Sequence, residues 1–297
     1  MKKFFTKDQL RKLHESNSAL KKCGKRAIVC AFAATALIGC HAVNVYADEA
    51  YSVNATESKS TGENEASAEL AGTTYVSGDY EYSLEDGQAI ITKYTGTDAN
   101  VIIPSSVMGY EVVGIGRNAF YNNKTLQSVV VPDGVSIIGS SVFQGCTVLK
   151  NISLPDGLET IGSSAFSGCK KLKSVNVPKS ISKIESNAFY GCSGMSNVVF
   201  NENSKTGFKQ TIGDWAFYGC SGLETINLTL NVTEIGDRAF SGCSGLEAVH
   251  LPDNIKKIGK CAFENCSALT ELVLPSKLET IGYSIISGTE ITEITIP

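Results

Sequence analysis

"IGSSAFSGC", residues 161–169, returns as "IGDWAFYGC" at 212–220 and "IGDRAFSGC" at 235–243. Its isoleucine falls at Ile115, Ile138, Ile161, Ile184, Ile212, Ile235, Ile258 and Ile281, spaced by 23 residues except for 28 between Ile184 and Ile212. So regular a period is the signature of a stacked repeat, in which one unit cannot bury its apolar side but neighbours can.

Working outward, "LKSVNVP" (172–178) and "LTELVLP" (269–275) carry apolar residues at positions 1, 4 and 6. The last two alternate as in a strand with one buried face. All seven prolines, at 104, 132, 155, 178, 252, 275 and 297, directly follow such a strand. Proline has no N–H to donate, so it suits the place where a ladder stops. A second short apolar pair follows, such as Leu158 with Ile161. Then Ser140, Ser163, Ser186, Asp214 and Asp237 precede what reads as a brief helical turn, with their side chains as N-caps. Two residues past the aromatic position the chain admits only Gly or Asn, from Asn122 to Gly288, as a left-handed stop requires. Phe120, Phe143, Phe166, Phe189, Phe217, Phe240 and Phe263 share phase with Ala and Ile and are expected to stack as an internal spine.

This unit, L-x-x-V-x-L-P-x-x-L-x-x-I-G-x-x-A-F-x-G-C, is met in full by "LKNISLPDGLETIGSSAFSGC" at 149–169, taking Ile and Val as equivalent. It resembles the BspA-like leucine-rich repeat family of bacterial surface proteins over about residues 100–297. The expected fold is a β-rich solenoid of about eight 23-residue coils. Each coil holds a main strand, a short second strand and a short helical turn. "YEYSLEDGQAIITKYTG" (80–96) reads as a β-hairpin turning at Asp86–Gly87, covering the first coil. The division is 1–47 export signal, 48–73 flexible linker, 74–110 capping hairpin and first strand, and 111–297 solenoid. At the far end Ile285 and Ile286 replace Ala and Phe, and the last strand, "ITEITIP", has no evident cap. A partner covers that edge, or a domain downstream of Pro297 does.

The N-terminus reads as an export signal: Lys21, Lys22, Lys25 and Arg26, then the apolar run 27–39, then small Ala47 before Asp48. Cleavage after Ala47 is favoured. "LIGC" at 37–40 resembles the bacterial lipobox, which would put a lipid on Cys40, although the apolar "HAVNVYA" after it is a poor tether. Uncut, the stretch is nearly long enough to span a bilayer. All three readings place residue 48 onward outside the cytoplasm, secreted or on the cell surface, with membrane contact only through this segment. Residues 48–73, rich in Ser, Glu, Ala, Thr and Gly, read as a linker or stalk.

The 297 residues are 42% hydrophobic and 19% charged, and the formal net charge of −4 gives no overall attraction to nucleic acid. Of ten cysteines, Cys146, Cys169, Cys192, Cys220, Cys243 and Cys266 recur three residues past the phenylalanine. Coils about 4.8 Å apart stack such residues in a straight row. That row neither turns Cβ atoms together for disulfides nor converges four thiolates on a metal. It is read as a ladder of buried thiols, with no metal and no cofactor. Cys261 stands off the ladder and is expected to be accessible and the main site of rapid alkylation.

Catalysis is not expected. After residue 47 the one histidine is His250, on the outward side of "LEAVHLP", and no phosphate loop, H-E-x-x-H or nucleotide fingerprint occurs. Glu224 and Glu247 recur one coil apart, a spacing the repeat itself explains. The family resemblance implies an exported protein-interaction or adhesion module, its partner a macromolecule such as a host matrix protein or a neighbouring cell surface. The alternative is a structural or carbohydrate-binding envelope component.

The outward main-strand positions, on the concave side in related repeat proteins, supply the candidate binding strip. Lys150, Lys173, Asn176, Glu224, Asn227, Glu247, His250 and Glu271 lie on it, running from basic, beside Lys170 and Lys171, to acidic. The two coils lengthened by five residues, between Pro104 and Ile115 and between Asn201 and Ile212, project loops that are further recognition candidates.

Overall fold

In the computed structural model, residues 3–6 and 73–296 are described. The export-signal and linker readings therefore lie outside the described residues, apart from Lys3–Thr6 and Thr73.

The isoleucine that marks the repeat is the register of a sheet. Ile115, Ile138, Ile161, Ile184, Ile212, Ile235, Ile258 and Ile281 pair in parallel from coil to coil. With the N-terminal hairpin they form one 12-stranded sheet. The second strands, each only two to four residues in most coils, thus build the larger sheet. The main strands form the other wall: Asn100–Ile102, Ser128–Val130 and Asn151–Ser153 in one sheet, Ser174–Val177, Asn197–Phe200, Thr225–Asn227 and Ala248–His250 in the next. All pair in parallel at equivalent residues, Ser128 with Asn151 and Thr225 with Ala248.

Between the walls runs the predicted spine. The seven phenylalanines are at most 2% exposed, with neighbouring ring centroids 5.0–5.5 Å apart. That spacing follows from strands about 4.8 Å apart carrying the same side chain at the same phase. Tyr94 extends the stack, its ring 5.0 Å from that of Phe120. The hairpin Tyr80–Glu85 with Gln88–Tyr94 turns at Asp86–Gly87, both left-handed, and closes the first coil as expected.

The helical turn is not a helix. Ser164, Phe166 and Gly168 donate to Ser186, Ala188 and Tyr190 of the next coil, at 3.0, 2.7 and 2.7 Å. The intervening Ala165, Ser167 and Cys169 donate three residues back, to Gly162, Ser164 and Phe166. Alternate N–H groups therefore point along the solenoid axis, which the i to i−4 ladder of an α-helix forbids. The alternation needs left-handed residues at two phases. One is the expected Gly/Asn position. The other is Asn118, Ser141, Ser164, Asn187, Trp215, Arg238, Cys261 and Ser284, all with φ between 54° and 63°. Nor do the aspartates cap their own coil: Asp214 Oδ1 accepts from the N–H of Asp237 at 2.7 Å, and Asp237 Oδ1 from that of Lys260 at 2.8 Å. They fasten one coil to the next.

The glycine after the isoleucine answers to proximity. A Cβ on Gly162 would lie 2.6 Å from the carbonyl carbon of Gly139. Gly191, by contrast, has open space around it but a φ of +67°.

The ladder thiols are buried and each donates to the phenylalanine carbonyl of the preceding coil. Cys169 reaches Phe143 O at 3.2 Å and Cys192 reaches Phe166 O at 3.1 Å. Burial raises their pKa, that of Cys146 to about 11 and those of Cys169 and Cys192 well above the ordinary value. In the first coil Asn123 takes the position and its Oδ1 accepts from the N–H groups of Thr125 and Leu126, both at 2.9 Å.

Cys261 corrects the sequence reading: it is 1% exposed. Its phase also holds half-buried Trp215 and Arg238. The left-handed backbone sets these side chains into the wall of turns instead of out in solvent.

At the far end, Glu293–Ile296 joins the main wall through a bridge between Val273 and Thr295. Lys3–Thr6 pairs antiparallel with it. This strand lies in the segment read as the export signal, so cleavage after Ala47 would remove it and leave the edge uncapped.

Candidate interaction surface

On each main strand the alternation that buries one face presents the other. Val175 and Val177 turn inward while Ser174 and Asn176 are exposed. Parallel pairing stacks the outward residues into columns. Asn176 pairs with Val199, Val199 with Asn227, and Asn227 with His250. Three of the predicted site residues are therefore one column, with Val199 between them.

A second column is traced by its backbone bonds. Lys150 N donates to Gln127 O at 2.8 Å, Lys173 N to Lys150 O at 3.1 Å, Ser196 N to Lys173 O at 2.9 Å, and Glu247 N to Glu224 O at 2.8 Å. Lys150 and Lys173 are neighbours, as are Glu224 and Glu247. Glu271 is exposed between buried Leu272 and its own coil's turn, nearer the acidic end. All eight residues are exposed on the main-strand wall. Lys150 and Glu271 stand at opposite ends of the strip and share no contact chemistry.

Sequence reasoning missed two features. The phase of Asn176, Asn227 and His250 also carries exposed apolar side chains in other coils, Ile102 at 75%, Val130 at 42%, Val199 at 39% and Val273 at 63%. Valine and isoleucine are ordinary strand residues, so only the phase, counted along the repeat, betrays them. The turn ridge also carries an aromatic and charged group in adjacent coils. The Arg238 guanidinium lies 5.1 Å over the Trp215 ring and pairs with the carboxylate of buried Glu264. Tyr190 and Tyr218 stack at 4.9 Å. Its signal is that the Ile161 coil has only Ser164 and Ser167 at those phases.

The 202–209 loop is tied down at its base: Asn203 N donates to Asn231 Oδ1 at 2.7 Å and Asn203 Nδ2 to Lys179 O at 2.8 Å. The other long loop is a small hairpin, Ser106–Val107 with Tyr110–Ile115, whose tip exposes Met108. Among the described residues no three His, Cys, Asp or Glu side chains converge as metal ligands, and no helix is long and apolar enough to cross a membrane. His250 stands exposed in its column with Asn227 as its register partner, the geometry of a surface side chain.

The family model for the BspA type leucine rich repeat region matches residues 113–210 and 206–297, with six copies. Among solved structures, a leucine rich repeat protein of T. pallidum is 33% identical, covering 67% of this chain and 92% of its own, with a TM-score of 0.61. A leucine rich cell surface protein of Faecalibacterium prausnitzii is 25% identical, covering 73% and 80%, with a TM-score of 0.40. A leucine-rich repeat protein of Bacteroides capillosus is 28% identical, covering 43% and 98%, with a TM-score of 0.38. No curated protein matches.

Proposed function

The chain belongs to the BspA-type leucine-rich repeat family, and from that membership we propose that it is an exported, non-catalytic interaction module. It docks a macromolecular partner, such as a host matrix protein or a neighbouring cell surface, through the outward main-strand columns. One observation carries this reading: the inward phases repeat from coil to coil, while the outward column changes from Lys150 and Lys173 to Glu224 and Glu247. Like charges one coil apart repel, so holding them in rows lowers stability, and packing gives no return for it. Docking does. Export rests on the basic and apolar N-terminal stretch that ends at Ala47.

The test is retention of the full chain on immobilised matrix proteins against retention on purified cell wall. Retention on matrix protein, with association slowed in the double variant Lys150→Glu, Lys173→Glu and weakened by salt, supports the module. Retention on cell wall alone supports the envelope-component reading. Binding that ignores both the reversal and the salt moves the site to the two long loops.

A further inference from the structure

Lys124, Lys150, Lys170, Lys171 and Lys173 are all exposed and fall within three successive coils. Backbone bonds from Lys150 to Gln127 and from Lys173 to Lys150 place those coils side by side. At about 4.8 Å per coil, five positive charges share roughly 10 Å of the solenoid axis. Among the described residues none of the five lies within ion-pair distance of a carboxylate, whereas Lys93, Lys179, Lys183, Lys256 and Lys260 each do. Among the described residues the side-chain bonds of the five are neutral: Lys124 Nζ to Gly145 O at 2.6 Å and Lys150 Nζ to Gln127 Oε1 at 2.9 Å. A chain of net charge −4 thus concentrates unneutralised positive charge at one end of its strip.

We propose that this basic end binds a linear, densely sulfated polysaccharide. The proposal rests on the main-strand wall being the docking face and names the chemistry recognised at one half of it.

Three observations select that ligand. The outward positions around Lys150 and Lys173 are Asn151, Ser153, Ser174 and Asn176, all polar and exposed. They offer none of the aromatic or arginine anchors on which protein interfaces concentrate their binding energy. Every charge is a lysine, a mobile point charge that suits shifting sulfates. None of the five positions offers the rigid fork of arginine, which grips a single carboxylate or phosphate bidentately. The charge density is high: a polymer with several anions per disaccharide matches five cations in that span, whereas a poly(glycerol phosphate) carries one per repeat. The acidic coils from Glu224 onward repel such a chain and confine it to the basic end.

The experiment uses the full chain and heparin as probe, with desulfated heparin, poly(glycerol phosphate) and poly-L-glutamate alongside. Heparin is expected to bind tightest and desulfated heparin at least tenfold more weakly. Replacing Lys150, Lys170, Lys171 and Lys173 together by Gln should cost at least tenfold in affinity. It should also flatten the dependence of log affinity on log salt by about 3, the counterions those charges release. The fourfold Lys→Arg variant keeps binding, and its thermal unfolding checks that the coils remain folded. Equal binding of desulfated heparin or poly-L-glutamate, tighter binding of poly(glycerol phosphate), or indifference to the Gln variant overturns the proposal. If heparin fails while matrix protein is still held through the Glu224 and Glu247 half, the docking-face reading survives and this inference alone is lost.

Discussion

The inner and outer faces of a single main strand obey different rules. Inward of Ser174–Val177 stand Val175 and Val177, and the equivalent positions of the next strand hold Val198 and Phe200, all buried. Outward stand Ser174 and Asn176, facing Asn197 and Val199 in register. Both faces use the same backbone and the same hydrogen bonds. What separates them is the neighbour: a core position meets its own copy above and below, so one solution serves every coil, whereas an outward position meets solvent and is free to differ. Repetition marks packing and variation marks contact with something else.

Alkaline pH strikes the repeated face hardest. The ladder thiols are neutral in the folded chain, and their pKa is raised chiefly by burial. An unfolded cysteine ionises near 8.5. Between that pH and about 11, where Cys146 titrates in the folded chain, the unfolded state binds fewer protons and stability falls as pH rises. Each fully coupled thiol contributes about 1.4 kcal/mol per pH unit, so the ladder loses several kcal/mol together. The urea midpoint should be steady up to about pH 8 and collapse above it. A midpoint that holds at pH 10.5 would show that the thiols are not sealed in. Native alkylation should be slow at every cysteine of residues 73–296, Cys261 included, and become fast only on unfolding.

Phe189→Ala removes one ring from the middle of the spine and should cost about 3–5 kcal/mol by denaturant unfolding. A loss below 1 kcal/mol would mean that neighbouring coils collapse into the gap and the spine is not a shared core. The glycines divide next. Gly162→Ala drives a methyl into the backbone of Gly139 and should cost about 1–3 kcal/mol, the cost of overpacking. Gly191→Ala meets no atom but must keep a left-handed φ, at about 1–2 kcal/mol. Thermal melts of both, beside the wild-type chain, tell crowding from backbone strain. The outward face gives the smallest effect: Lys150→Glu with Lys173→Glu should leave stability within about 0.5 kcal/mol while altering binding.

The sequence was most legible where the period itself was the evidence. Eight isoleucines in phase define the coil, seven phenylalanines the spine, and seven prolines the strand ends. The turn was misread because its deciding property is dihedral. Ser164, Trp215, Arg238 and Cys261 are left-handed with no residue type to announce it, and a serine or aspartate ahead of a short apolar stretch looks the same before an α-helix. The expected accessibility of Cys261 followed from that misreading, whereas the residue is buried. Tyr94 escaped notice as a member of the spine because the hairpin that carries it lies outside the repeat. The columns could be listed by counting, Val273 in line with Asn227 and His250 among them, but their bonding partners came only with the register.

The longer coil between Ile184 and Ile212 takes up five extra residues, yet Lys183 still pairs with Thr211 and Ile184 with Ile212. Cys220 still reaches Phe189 O, at 3.3 Å. The surplus stays in the 202–209 loop, and apart from a bulge where Gln210 and Thr211 meet the next coil the register downstream is kept. A grafted epitope, a fluorophore tag or a protease site inserted there would ride on a rigid rod without disturbing it. By the same logic, an ancestral gene could gain length at that corner one codon at a time, whereas anywhere else in the coil it could grow only by whole repeats.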